Sequence, residues 1–157
     1  MEEYEYSFIV KDIKPYIEYC EKNGYTKTAE VKQNRVVYQN KYSDKIIARI
    51  TTEWHNGKVS TVLDSKSIDI ADNDLKVSQE SKEIVVTGDN KDAIISMLET
   101  MGFYVSANNT RDRLVFEKDN IKFEIDDYTE PVMKVVAIEG EREAVNAVYS
   151  VVKDLEK

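Results

Sequence analysis

Arg111-Asp112-Arg113-Leu114-Val115-Phe116-Glu117-Lys118, a turn at Asp119-Asn120, and Ile121-Lys122-Phe123-Glu124-Ile125-Asp126-Asp127 form the stretch on which the fold turns. Both arms alternate with the period of two that marks a β-strand. Arg111 and Arg113 lie two apart and share a face, while Asp112, Leu114 and Phe116 take the other. On the second arm Glu124 and Asp126 share a face opposite Phe123 and Ile125. This is a hairpin with one apolar face and one face of paired charges.

The same pattern recurs to either side. Tyr4–Val10 alternates Glu3, Glu5 and Ser7 with Tyr4, Tyr6 and Phe8. Further strands are predicted at Glu30–Gln39, Lys45–Trp54, Lys58–Lys66, Lys76–Val86 and Val132–Glu139, with an Asn56-Gly57 turn of type I′. The polar stretch Ile68–Asp74 reads as a loop. Three helices are predicted. The first follows Asp12 as N-cap, carries Pro15 in its first turn and ends at Gly24. The second runs over Lys91–Met101, capped by Asp89 or Asn90, with Ile94, Met97, Leu98 and Met101 inward. The third, Glu141–Leu155, gathers Val145, Val148, Tyr149 and Val152 on one face.

An offset of 78 positions aligns the glycines that end the first two helices, Gly24 and Gly102. It also aligns Ile17 with Ile95, Glu21 with Glu99, Arg35 with Arg113, Val37 with Val115, Tyr38 with Phe116 and Ile47 with Ile125. Two similar helix–hairpin halves follow, supplying about eight strands, enough to close a barrel. The expected fold class is therefore α+β, one domain over residues 1–157: a closed antiparallel β-barrel with helices packed outside and a pseudo-twofold relation between halves.

The charged faces admit two readings. Arg49 lies with Lys45 and Thr51, Lys66 follows Asp64, Glu80 lies with Lys76 and Lys82, and Glu139 lies opposite Ile138. In a plain sheet these faces meet water. In a closed barrel they line one interior, where arginine and lysine suit phosphate oxygens and carboxylates suit a divalent cation.

Composition narrows the function. With 41% hydrophobic and 33% charged residues the chain is globular, and its net charge of −8 argues against a duplex nucleic-acid partner. No apolar run approaches the roughly 20 residues that span a bilayer, so no membrane partner is expected. The acidic start Met1-Glu2-Glu3 is unlike a secretory signal, and a single Cys20 fits a reducing compartment, so the expected location is cytoplasmic. His55 beside the Asn56-Gly57 turn reads as solvent-exposed, and Cys20, on a helix's apolar face, as a buried, inert thiol.

In order along the chain, Glu3-Tyr4-Glu5-Tyr6-Ser7, Arg49-Ile50-Thr51, Leu63-Asp64-Ser65-Lys66, Glu80, Arg111-Asp112-Arg113, Asp126 and Ala137-Ile138-Glu139 resemble the strand motifs of the CYTH family. These triphosphate tunnel enzymes include thiamine triphosphatases, inorganic triphosphatases, RNA triphosphatases and class IV adenylyl cyclases. The corresponding family motifs are E-x-E-x-K, R-x-R, L-T-x-K, a later glutamate, K-x-R, an aspartate and E-x-E. The resemblance spans nearly the whole chain, and three departures matter: Ser7 for lysine, Thr51 for the second arginine and Ala137 for glutamate.

What the resemblance implies is a small-molecule triphosphate or nucleotide held in a barrel lumen. Arg49, Lys66, Arg111 and Arg113 would bind phosphate. Glu3, Glu5, Glu80, Asp126 and Glu139 would hold Mg²⁺ or Mn²⁺, with Glu3, Glu5 and Lys66 acting in catalysis. The three departures point to slow phosphohydrolysis. The alternatives are a non-catalytic sensor or sequestering module, or adenylyl cyclase-like chemistry. Oligomeric state is open, with a homodimer as one option.

Overall fold

The computed structural model describes residues 2–157, with the side chain of Asp72 left aside. Its elements are β1 (Glu2–Val10), α1 (Lys14–Lys22), β2 (Thr26–Asn40), β3 (Ser43–His55), β4 (Lys58–Asp72), β5 (Leu75–Glu80), β6 (Ile84–Val85), α2 (Lys91–Thr100), β7 (Phe103–Lys118), β8 (Ile121–Glu130), β9 (Val132–Gly140) and α3 (Arg142–Val152). The strands run β3-β2-β7-β8-β9-β1-β5-β4, and β4 pairs back onto β3, so eight antiparallel strands close into a barrel. The short β6 adds to β4 outside the ring.

Closure settles the question of the two faces. Most apolar side chains point outward, and those of β8 and β9 are covered by helices; Val31, Val62, Val115 and Val135 line the interior instead. Phe123, Ile125, Val136 and Ile138 are fully buried against Tyr16 and Cys20 of α1 and Val145 and Val152 of α3. Tyr6 stacks on Tyr149 with ring centroids 3.9 Å apart. A second cluster joins Tyr38, Ala48 and Ile50 to Leu98 of α2. Truncating one of the fully buried side chains, such as Phe123, to alanine costs roughly 3–5 kcal/mol. With its apolar surface used outside, the barrel is left with a charged interior.

The pseudo-twofold relation is visible in the ladder. Gln33 of β2 faces Arg111 of β7, which lies 78 positions further on. The axis relating the halves passes through that pair, and it relates Arg35 to Arg113. The same offset carries α1 onto α2, β2 onto β7 and β3 onto β8.

Several element boundaries differ from expectation. The predicted loop Ile68–Asp74 is mostly the end of β4, with Ile68 opposite Ser78 and Ile70 opposite Lys76. Ile70 is 67% exposed, so this segment is held by backbone pairing rather than by an apolar face. For the same reason β7 begins at Phe103, before Arg111: its polar stretch through Asn109 lies against β2. The strand read as Lys76–Val86 splits into β5 and β6, with the chain bending at Ser81, whose hydroxyl donates to Lys82 O and accepts from Ser65 N. Met97 and Met101 are not inward; they are 62% and 50% exposed, because α2 rests on the barrel through a narrower stripe centred on Leu98. Asn90 occupies the α2 N-cap without capping it, its Oδ1 accepting instead from Thr87 N.

Candidate functional site

Strand register builds the lumen. In antiparallel strands, residues directly opposite one another point to the same side. Around the ring the inward pairs are Glu5 with Glu139, Glu139 with Lys122, Ala137 with Glu124, Asp126 with Arg113, Tyr128 with Arg111, Arg111 with Gln33, Gln33 with Glu53, Arg35 with Thr51, Arg49 with Asp64, and Lys66 with Glu80. They enclose a cavity of about 410 Å³ lined by residues of every barrel strand. That volume lies within the usual range for small-molecule sites.

Two arginines are forked onto carboxylates. Arg113 donates from Nε to Asp126 Oδ1 at 2.7 Å, from Nη2 to Asp126 Oδ2 at 2.9 Å and from Nη1 to Glu124 Oε2 at 2.7 Å. Arg49 donates from Nε to Asp64 Oδ1 at 2.9 Å and from Nη2 to Asp64 Oδ2, with Glu80 at 3.2 Å. Lys66 lies 3.9 Å from Glu80. Two other arginines are less satisfied. Arg111, 4% exposed, donates to Gln33 Oε1 at 3.0 Å and to the Tyr128 hydroxyl, and stands 3.6 Å from Asp126, but its Nη2 is buried without a partner. Arg35, half-buried, donates from Nε to Thr51 Oγ1 at 3.0 Å. Among the described residues no carboxylate lies within ion-pairing distance of it.

Beside Arg113 the lumen turns acidic. One oxygen from each of Glu5, Glu124 and Glu139 lies within 4.8 Å of the others. Burial pushes the Glu139 carboxyl well above the usual range, and the charge of Glu124 beside it adds to the effect. Burial acts the same way on Glu124, but Arg113, a hydrogen bond with Glu139 and Lys122 outweigh it and hold that carboxyl low. Lys122 reaches Glu139 Oε2 at 3.2 Å, and Lys76 stands 3.9 Å from Glu5. Three crowded carboxylates, with Glu139 held toward its protonated form, make a donor set suited to a hard divalent cation, which would relieve their mutual repulsion.

The expected site residues distribute unevenly. Glu5, Arg49, Lys66, Glu80, Arg111, Arg113, Asp126 and Glu139 all line the lumen. Glu5 and Glu139 meet in the carboxylate cluster, but Glu80 and Asp126 are engaged with cations elsewhere. Glu3 lies toward the barrel mouth, in a recess shared with Asn120 and Arg142. Glu124, Lys122, Gln33, Tyr128 and Arg35 were not singled out from sequence. Glu124 and Lys122 share a strand face with Asp126, and the 78-residue offset aligns Arg35 with Arg113, so signals for these were present. Nothing local marks Gln33 or Tyr128.

No protein-family model matches the chain, and no curated protein sequence matches it. Solved structures do. A Pyrococcus horikoshii protein superposes with a TM-score of 0.72 over 98% of this chain and 89% of that one, at 19% identity. This is the barrel expected from the CYTH resemblance. A Hippeastrum candidate adenylyl cyclase, described as having a dominant triphosphatase activity, is similar with a TM-score of 0.65, 13% identity and coverage of 98% and 88%. The Mimivirus capping-enzyme triphosphatase is similar with a TM-score of 0.54, 12% identity and coverage of 99% and 88%. At these identities the likeness is one of fold. Among the described residues no helix is long and apolar enough to cross a membrane.

Proposed function

We propose that this barrel binds a triphosphate-bearing small molecule together with Mg²⁺ or Mn²⁺ in its lumen and hydrolyses it slowly. The observation that carries this reading is the convergence, in one cavity, of four arginines and two lysines with a three-carboxylate cluster. Six cationic side chains face eight acidic ones there. A bare polyanion would therefore meet a lumen with no surplus of positive charge, and a divalent cation is needed to balance it. The triphosphatase activity named for the Hippeastrum and Mimivirus proteins, which share the fold, supports the same reading.

Glu5, Glu124 and Glu139 would hold the cation, which when bound polarises a phosphoryl group and activates water. Arg49, Arg111, Arg113 and Lys66 would bind phosphate oxygens. Asp64 and Asp126 orient Arg49 and Arg113 while lowering the net charge each offers. Glu80 does the same for Arg49 and Lys66, and Glu3 stands at the mouth on the side of the cluster. Catalysis in such a site is positioning and charge stabilisation. It is weak here because Ser7, opposite Ala137, presents no cation where the family motif has lysine.

The non-catalytic alternative draws on the same features, since Asp64 neutralises Arg49 and Ser7 is uncharged. Phosphate release from inorganic triphosphate, thiamine triphosphate and nucleoside triphosphates with Mg²⁺ or Mn²⁺ tests hydrolysis, and cyclic AMP formation tests cyclisation. Thermal stabilisation by the same ligands tests binding. Stabilisation without product leaves the binding module. No stabilisation at millimolar ligand removes both.

A further inference from the structure

Among the described residues Arg35 is a lumen arginine with no carboxylate within ion-pairing distance, Glu124 acting on it only from farther off. Its guanidinium makes one hydrogen bond, to Thr51 Oγ1, the residue directly opposite it in the β2–β3 ladder. Thr51 is also where the R-x-R motif calls for its second arginine. The guanidinium on β2 thus reaches the place that an arginine side chain on β3 would occupy. Across the β2–β7 seam lies Arg111, whose Nη2 is buried and unpartnered.

We propose that Arg35 and the free Nη2 of Arg111 form the subsite that grips the ligand's anionic end, with Arg35 supplying from β2 the charge that Thr51 does not supply from β3. The inference rests on the polyphosphate reading above. It divides the phosphate-binding work among the arginines: Arg49 and Arg113, forked onto Asp64 and Asp126, offer phosphate a partly neutralised charge, while Arg35 and Arg111 provide unspent hydrogen-bond donors.

Three considerations support the assignment. A buried guanidinium N–H without an acceptor is costly and rare, so Arg111 Nη2 is best explained by an acceptor that arrives with a ligand. Burial, then the charges of Arg111, Arg49 and Arg113, pull Arg35 down to about 9 against a smaller opposing pull from Glu124. It remains a cation at neutral pH, so its environment stands to gain from an incoming anion. The third consideration is spacing. Arg111 is four residues along β7 from Val115, the partner of Glu124, or roughly 13 Å of strand. The arginine subsite and the carboxylate cluster thus sit on successive stretches of one wall, linked through Asp126 and Arg113, where a ligand with more than one phosphoryl group can touch both.

The test uses inorganic tripolyphosphate with Mg²⁺, measured by calorimetry and by thermal denaturation. Arg35→Thr should weaken binding roughly 10- to 100-fold, the effect of losing a charged hydrogen bond. The exchange Arg35→Thr with Thr51→Arg should restore binding to within a few-fold of wild type. Arg35→Lys should fall between, keeping charge but losing the fork. Unchanged affinity in Arg35→Thr, or no recovery in the exchanged pair, overturns the proposal.

A second readout needs no ligand. Removing an uncompensated cation from among three other arginines should raise the melting temperature of the free protein by roughly 2–4 °C. A lowered melting temperature in both Arg35→Thr and Arg35→Met also overturns the assignment. Wild type that ignores tripolyphosphate while Arg35→Thr is stabilised would sink the polyphosphate reading and leave only the uncompensated cation.

Discussion

Arg113 offers the sharpest test of how the lumen is held together. Its guanidinium makes two bonds to Asp126, at 2.7 and 2.9 Å, and one to Glu124 at 2.7 Å. Asp126 is 3% exposed and Arg113 8%, so neither charge can turn to bulk water if the other is removed. Arg113→Met leaves Asp126 with only Arg111, at 3.6 Å, and withdraws from Glu124 its principal stabilising charge. Breaking one side of a buried pair costs roughly 3–5 kcal/mol, much of it the penalty on the abandoned partner. Replacing both sides with apolar residues is often neutral or better. Arg113→Met should therefore be strongly destabilised in urea at pH 7, and Arg113→Met with Asp126→Leu should regain most of the loss. Two results would refute the reasoning. One is a single variant that loses less than about 1 kcal/mol; the other is a double variant as unstable as the single. Either would mean that the pair is hydrated and that Arg113 is free for other work.

Ser7→Lys places a cation opposite Ala137 and beside the Glu5 strand face, and should raise phosphate release roughly 10- to 100-fold; equal rates from two proteins that both bind tripolyphosphate would clear Ser7 as the defect. Glu139→Gln keeps the shape of a protonated Glu139 but removes a charged metal ligand, so Mn²⁺ binding, followed by electron paramagnetic resonance, should weaken by tenfold or more; undiminished Mn²⁺ affinity would remove Glu139 from the metal set. Burial lifts the Cys20 thiol to about 12 from an ordinary value of 9.0. A raised folded value means that this group's contribution is intact below pH 9 and is lost as pH climbs from 9 toward 12. Urea midpoints should fall over that window, less so in Cys20→Ala, and native protein should not react with a disulfide thiol probe at pH 8. Rapid labelling of folded protein would show that α1 opens from the barrel.

How much was legible in the chain depends on which force acts on a residue. Strands with an apolar face could be seen, because alternation is a local pattern and burial under a helix requires it. The ends of β2, β4 and β7 could not, because there the backbone ladder holds residues whose side chains carry no pattern. The arginine and carboxylate faces could be listed strand by strand, and most of those residues do line the lumen. Their division of labour could not. That Asp126 is occupied by Arg113, or that Glu124 joins Glu5 and Glu139, follows from cross-strand register between segments far apart in sequence.

By itself the sequence determined the element order, the helix–hairpin duplication at 78 residues, the apolar faces that α1 and α3 cover, and the presence of both charge signs on the opposing strand faces. Tertiary structure alone decided that β2 lies against β7 and that β1 lies between β9 and β5, so that the local hairpins join into a ring whose charged faces share an interior rather than meet solvent. It also decided which charges neutralise one another and which are left over. The physical reason is that a period of two specifies a face, whereas an ion pair specifies two positions at once. Arg35 illustrates the difference: its strand face was readable from its neighbours, but that it stands against Thr51, with no described carboxylate in ion-pairing distance, exists only in the folded register.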